Sequence, residues 1–146
     1  MAENADIIYA VNESGSYPLS DNIAISGGIA WAVATLTHPE LIDNAVITVT
    51  YEDVVKFSEQ IYRYPNLYSD AAITASLTDA SLDKNIIGRE VKRVNQVFDQ
   101  KSLMAGTGIM LKIMRQFKSI YESKQFYLIK NGAVGWISAY VDQNIK

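Results

Sequence analysis

The sequence predicts one α+β domain in which helices pack on a mixed sheet, and three observations carry that expectation. Apolar residues recur at helical spacing through two long segments after residue 80. β-formers alternate over 45–51. The chain then closes on an Asn131-Gly132 turn flanked by two apolar runs. With 146 residues, 49% of them apolar, the chain can bury a core as one domain spanning 1–146. No linker, repeat or low-complexity segment divides it.

The elements are expected in this order. Residues 6–10 form a short strand, and the Gly-, Ser- and Pro-containing stretch 12–18 is a loop. Ser20 caps a helix running to about Leu36, with Ile23, Gly27, Ala30, Val33 and Ala34 on one face. Gly27 and Gly28 each cost a helix roughly 1 kcal/mol relative to alanine, which points to a close backbone approach or a bend. Thr37 and Glu40 have capping-box spacing for a second helix, with Pro39 in its first turn. Ala45 to Tyr51 reads as a strand, and Thr50 to Asp53 offers a cap for a helix ending by Pro65. The stretch 67–80 fits strand or helix.

Ile87, Val91, Val94 and Phe98 mark a helix from about Ser81 to Asp99. Another is expected from about Gly106 to Ser123, with Met110, Ile113, Met114, Phe117 and Tyr121 on one side. A β-hairpin over 126–141 ends the domain, because Asn-Gly accepts positive φ at both turn positions.

Composition narrows the function classes. There is no cysteine, which excludes disulfides, thiol catalysis and thiolate zinc sites. A single histidine, His38, excludes multi-histidine metal sites. Carboxylate-only cation sites lack their loop signature, so no metal is expected. No segment approaches the roughly 20 unbroken apolar residues of a membrane span. Met1 to Asp6 carries two acids and no base, unlike a secretory leader, so a cytoplasmic location is expected.

The net charge of −3 conceals an asymmetry. Residues 1–80 hold two bases, Lys56 and Arg63, against eleven acids, whereas 81–146 hold eleven bases against five acids. The basic half suits an acidic partner, although the two halves packing on each other is an equal reading. Nucleic acid is not expected, because the bases are dispersed and the isoelectric point is near 5.1.

His38 supplies the chain's one imidazole, the side chain best suited to proton transfer near neutral pH. At a helix start the positive ring is disfavoured, which keeps it ready to accept a proton. Filling a corner between helices is the plainer role. A basic histidine needs a carboxylate to orient it. Asp99, Asp43, Glu40 and Asp142 are the candidates, and Asp99 at a helix C-terminus is the one most in need of a partner. Gly106-Thr107-Gly108 at a helix start offers a weak phosphate cradle. The aromatics Phe126, Tyr127, Trp136 and Tyr140 read as cross-strand pairs.

Two segments together resemble the toxin-activating lysine acyltransferases, which acylate RTX haemolysins. Gly27, Trp31, Thr35 and His38 follow the order of that family's first motif, with the gap from Trp31 to His38 one residue shorter. Phe98-Asp99 and the run Gly108 to Arg115, then Phe117, are similar to its aspartate motif and the helix after it. The hairpin is also similar, although in the family it lies between histidine and aspartate. Val33 stands in place of a second tryptophan, Pro39 in place of an arginine, and the Asn-x-Leu-Pro segment has no counterpart.

The resemblance implies an acetyltransferase-like fold and transfer of a fatty acyl group from acyl carrier protein to a lysine amine. His38 would be the base, Asp99 its orienting carboxylate and Thr35 a supporting hydroxyl. Lys112, Arg115 and Lys118 would receive the acidic carrier protein, the expected acyl donor, with no tightly bound cofactor. The rival reading is a non-catalytic interaction or assembly protein, such as a phage or virion subunit forming a homo-oligomer. A fold of the acyltransferase kind without activity is the third.

Overall fold

The computed structural model describes residues 22–118 and 124–130. Three strands, β1 (Asn22–Ser26), β2 (Val46–Val49) and β3 (Gln125–Ile129), form one sheet in the order β1-β3-β2. β3 runs parallel to β1, with Asn22 opposite Gln125, and antiparallel to β2, with Val46 opposite Ile129. Five helices accompany the sheet: α1 (Gly28–Thr37), α2 (Tyr51–Arg63), α3 (Asp70–Ser76), α4 (Lys84–Val97) and α5 (Gln100–Lys118). Short 3-10 turns occupy Pro39–Leu41 and Pro65–Tyr68.

Burial decides which elements lie inside. α1 is built from small and β-branched residues with few polar groups, and Ala30, Ala32, Val33, Ala34, Thr35 and Leu36 are all buried. The amphipathic helices each give it one stripe: Val54, Phe57 and Ile61 from α2, and Ile87, Val91 and Val94 from α4. From α5 come Leu103, Met110, Met114 and Phe117, and from β3 Phe126 and Leu128, so one continuous core joins sheet and helices. α1 and α5 approach closely at Gly106, where a Cβ would sit 2.7 Å from Cδ1 of Ile29.

The mixed α/β architecture and the strand at 46–49 agree with the sequence. The Thr50 cap also agrees: its hydroxyl accepts from the Asp53 N–H while the Asp53 carboxylate accepts from the Thr50 N–H. Three expectations need correction, and one open reading is decided. The helix expected from Ser20 is instead a strand to Ser26 followed by α1, and Gly27, at φ 114°, makes the corner between them. The helix expected from Thr37 is only a three-residue turn, because the Thr37 hydroxyl bonds back to the Val33 carbonyl at 2.6 Å. The ambiguous stretch 67–80 is helical over 70–76, capped by the Ser69 hydroxyl. α5 begins at Gln100, so Gly106-Thr107-Gly108 lies inside a helix and its amides are not free to cradle phosphate.

The hairpin over 126–141 is half seen. The first strand of that expected hairpin corresponds to β3, which pairs with β1 on one side and β2 on the other. Residues 131–146, with Trp136, Tyr140 and Asp142, lie outside the described residues, as does the strand expected at 6–10.

Candidate functional site

α1 presents two faces to two different cavities. Its C-terminus reaches the first through Leu36, Thr37 and His38, and its middle reaches the second through Trp31 and Thr35.

His38 ends α1 as its C-cap, with its N–H bonded to the Ala34 carbonyl, and at φ −131° the chain leaves the helix there. The helix-start argument for a neutral ring does not carry over, since only a three-residue turn follows. That turn brings Glu40 back, and Nδ1 of His38 lies 2.9 Å from its Oε1. A neutral ring in this pair donates from Nδ1 and leaves Nε2 as the acceptor. Both side chains are only partly covered, at 32% and 46% exposure, so solutes reach the pair.

The cavity of about 240 Å³ beside His38 is walled by α2 residues Asp53, Lys56 and Gln60 and by Tyr68. The Tyr68 hydroxyl donates to Oε1 of Gln60 at 2.5 Å, which fixes the amide and leaves its NH2 as the donor end. Burial pushes the Tyr68 phenol above its ordinary pKa, so it stays a donor at neutral pH. Tyr68 is held in turn by an edge-to-face contact with Phe57, centroids 5.0 Å apart.

Asp99 stands elsewhere. It joins α4 to α5 as the N-cap of α5, accepting from the Ser102 N–H and hydroxyl, each at 2.8 Å. Those bonds, the backbone one first, hold its carboxyl below the usual carboxylate range. The unfavourable helix-end charge inferred from the sequence is therefore a favourable one, because a helix starts where α4 stops. Asp99 lines a third cavity with Asn66, Asn95 and Leu103. The carboxylate bonded to His38 is Glu40.

Thr35 is completely buried, and its Oγ1 has no hydrogen-bond partner among the described residues. It faces the second cavity, and no residue lines both that cavity and the one beside His38. On α5, Lys112 is half-buried, and Arg115 donates from Nε and Nη2 to the Tyr51 hydroxyl at 3.2 and 3.1 Å. Lys118 is the last residue of that helix.

Comparison with family models, curated proteins and solved structures gives no match. Among the described residues no three His, Cys, Asp or Glu side chains gather to hold a metal, and no helix is long and apolar enough to cross a membrane.

Sequence reasoning missed the best-connected polar cluster. Trp31 Nε1 donates to Oε1 of Glu90 at 2.8 Å, Arg93 pairs with Oε2 of Glu90 at 3.0 Å, and the Arg93 guanidinium lies 5.5 Å from the Trp31 ring centroid. The available signals were a lone tryptophan in a run of small residues and a Glu-Arg pair three apart on α4.

Proposed function

We propose that the chain is an acyltransferase in which His38 is the general base and Glu40 orients it. The observation that carries the reading is the 2.9 Å contact between Nδ1 of His38 and Glu40 at the rim of a cavity. A carboxylate on one ring nitrogen fixes the tautomer, leaves the other nitrogen to accept a proton, and stabilises the imidazolium that results. This reading moves the orienting role from Asp99 to Glu40. It keeps the resemblance to the toxin-activating lysine acyltransferases, drawn from Gly27, Trp31, Thr35 and His38.

In the reaction, Nε2 of His38 takes a proton from a lysine ammonium, and the freed amine attacks the thioester carbonyl of an acyl carrier protein. As the C–N bond forms and the C–S bond breaks, the imidazolium returns its proton to the departing thiolate. The neutral Nε2 then takes the second proton from the acylated nitrogen and releases it to solvent, leaving the amide. Gln60 lines the cavity with its Oε1 held by Tyr68, and its NH2 is a donor suited to the developing oxyanion. Lys112 and Lys118, with Arg115, give α5 the cationic character that an acidic carrier protein requires.

The chain has no cysteine, so a thiol reagent reads only the carrier's released thiol. Purified chain, acyl-loaded carrier and a lysine-containing acceptor should release thiol. His38→Ala should slow release by about 100- to 10,000-fold. Equal rates for wild type and His38→Ala would remove His38 as the base.

A further inference from the structure

The second cavity has the features of a ligand site with no assigned ligand. It holds about 560 Å³ between α1, α4, the segment 42–45 and Lys130, within the range of small-molecule sites. At its inner wall lies the Thr35 hydroxyl, 0% exposed and without a partner among the described residues. A buried hydroxyl left unbonded is destabilising, and a ligand acceptor reaching the inner wall would satisfy it.

The remaining donors point to the charge of that ligand. Nζ of Lys130 donates to the Leu41 carbonyl, which fixes its position and leaves two N–H donors without an acceptor among the described residues. Burial lowers the Lys130 pKa, against the opposing pull of Glu90, Asp43 and Glu40, so its charge is poorly solvated there. Arg93 and Glu90 pair with each other, and both contact Trp31. The four charges at the cleft, Lys130, Arg93, Glu90 and Asp43, cancel formally. With Arg93 paired to Glu90, Lys130 is the cation at the cleft with open donors, and one cation suits a single negative charge better than a doubly charged phosphate monoester. Trp31, Ile42 and Ile86 supply apolar walls.

We propose that this cleft binds a small organic monocarboxylate, its carboxylate between Lys130 and Thr35 and its apolar body against Trp31. The cleft is distinct from the cavity beside His38, with which it shares no lining residue, although Trp31 and Thr35 also belong to the motif behind the acyl-transfer reading.

The test is a titration of the isotope-labelled full chain, followed by amide chemical shifts, with benzoate, hexanoate, neutral benzyl alcohol and inorganic phosphate as probes. Benzoate or hexanoate should give saturable shifts at Thr35, Asn44 and Lys130, with benzyl alcohol and phosphate at least tenfold weaker. Lys130→Met should weaken the carboxylate at least tenfold. Thr35→Val, which keeps the shape and removes the hydroxyl, should weaken it severalfold and decides the matter alone if Lys130→Met does not fold. Absence of saturable shifts, tighter binding of phosphate or benzyl alcohol than of the carboxylates, or full affinity in Thr35→Val would overturn the proposal.

Discussion

Gly106→Ala tests the core packing around α1, because it probes how closely α5 approaches that helix. Built on the backbone, the new Cβ would lie 2.7 Å from Cδ1, 2.8 Å from Cγ1 and 3.3 Å from Cβ of Ile29. Two of those distances are shorter than real Cβ contacts, so α1, α5 or the Ile29 rotamer must shift. Overpacking of this kind costs about 1–3 kcal/mol. Replacing a mid-helix glycine by alanine returns about 1 kcal/mol of helix propensity. The net expectation is a loss of about 0–2 kcal/mol. Gly108, two residues along the same helix, has nothing within 4 Å of its Cβ, so Gly108→Ala should gain about 1 kcal/mol.

The assay is thermal unfolding of both variants alongside wild type, Ile29→Ala and the Ile29→Ala/Gly106→Ala pair. At about 2–4 °C per kcal/mol for a chain of this length, the two alanine variants should separate by several degrees in Tm with opposite signs. Ile29→Ala removes both of the closest atoms, so Gly106→Ala should be better tolerated in that background, a positive coupling. Equal stabilisation by Gly106→Ala and Gly108→Ala, with no coupling to Ile29, would refute the close approach of α1 and α5.

Other outcomes follow from the caps and charges. Thr50→Ala breaks a reciprocal capping box and should lower stability by about 1 kcal/mol in denaturant unfolding. For Asp99, the folded pKa lies below its unfolded value. Its ionic contribution is therefore complete above about pH 4 and is lost as pH falls through the folded value. Asp99→Asn keeps a capping oxygen, so its stability deficit relative to wild type should be visible at neutral pH and vanish in acid titrations. Glu40→Gln should reduce thiol release less than His38→Ala and change its pH profile, which a merely structural Glu40 would leave unchanged. Lys112→Glu should weaken carrier-protein association most at low ionic strength, and a salt-independent effect would argue against α5 as the docking surface.

The elements legible in the sequence are those whose signals are local. α4 was visible because Ile87, Val91 and Val94 repeat at helical spacing and all are buried. α2 was visible because its cap lies within four residues of chain. β1 was hidden because the five residues from Asn22 to Ser26 alternate too briefly to outweigh the helical pattern continuing into α1. The cost counted against Gly27 inside a helix was the sign of a corner, which only a positive φ reveals. Asp99 looked like a stranded charge because α4 ends and α5 begins within two residues, and a junction so short leaves no loop signature.

At the site, His38 and Glu40 are neighbours in sequence and Glu40 was among the candidates. The Trp31 contact spans 59 residues to Glu90 and that of Lys130 spans 89 to Leu41. No periodicity connects residues so far apart.

The position of β3 also sets an order of events for a chain made from its N-terminus. Among the described residues β1 and β2 do not pair with each other, and each joins the sheet through β3. The register that joins Asn22 to Gln125 closes almost the whole described length of the chain. During synthesis the helices α1 to α5 emerge before the strand that unites the sheet, so they can collapse on one another first. The edges of β1 and β2 that β3 covers stay without that partner until residue 125 has left the ribosome. Non-local closure of this kind slows folding, and the yield of native chain should depend on how well α1 is kept covered in the interval.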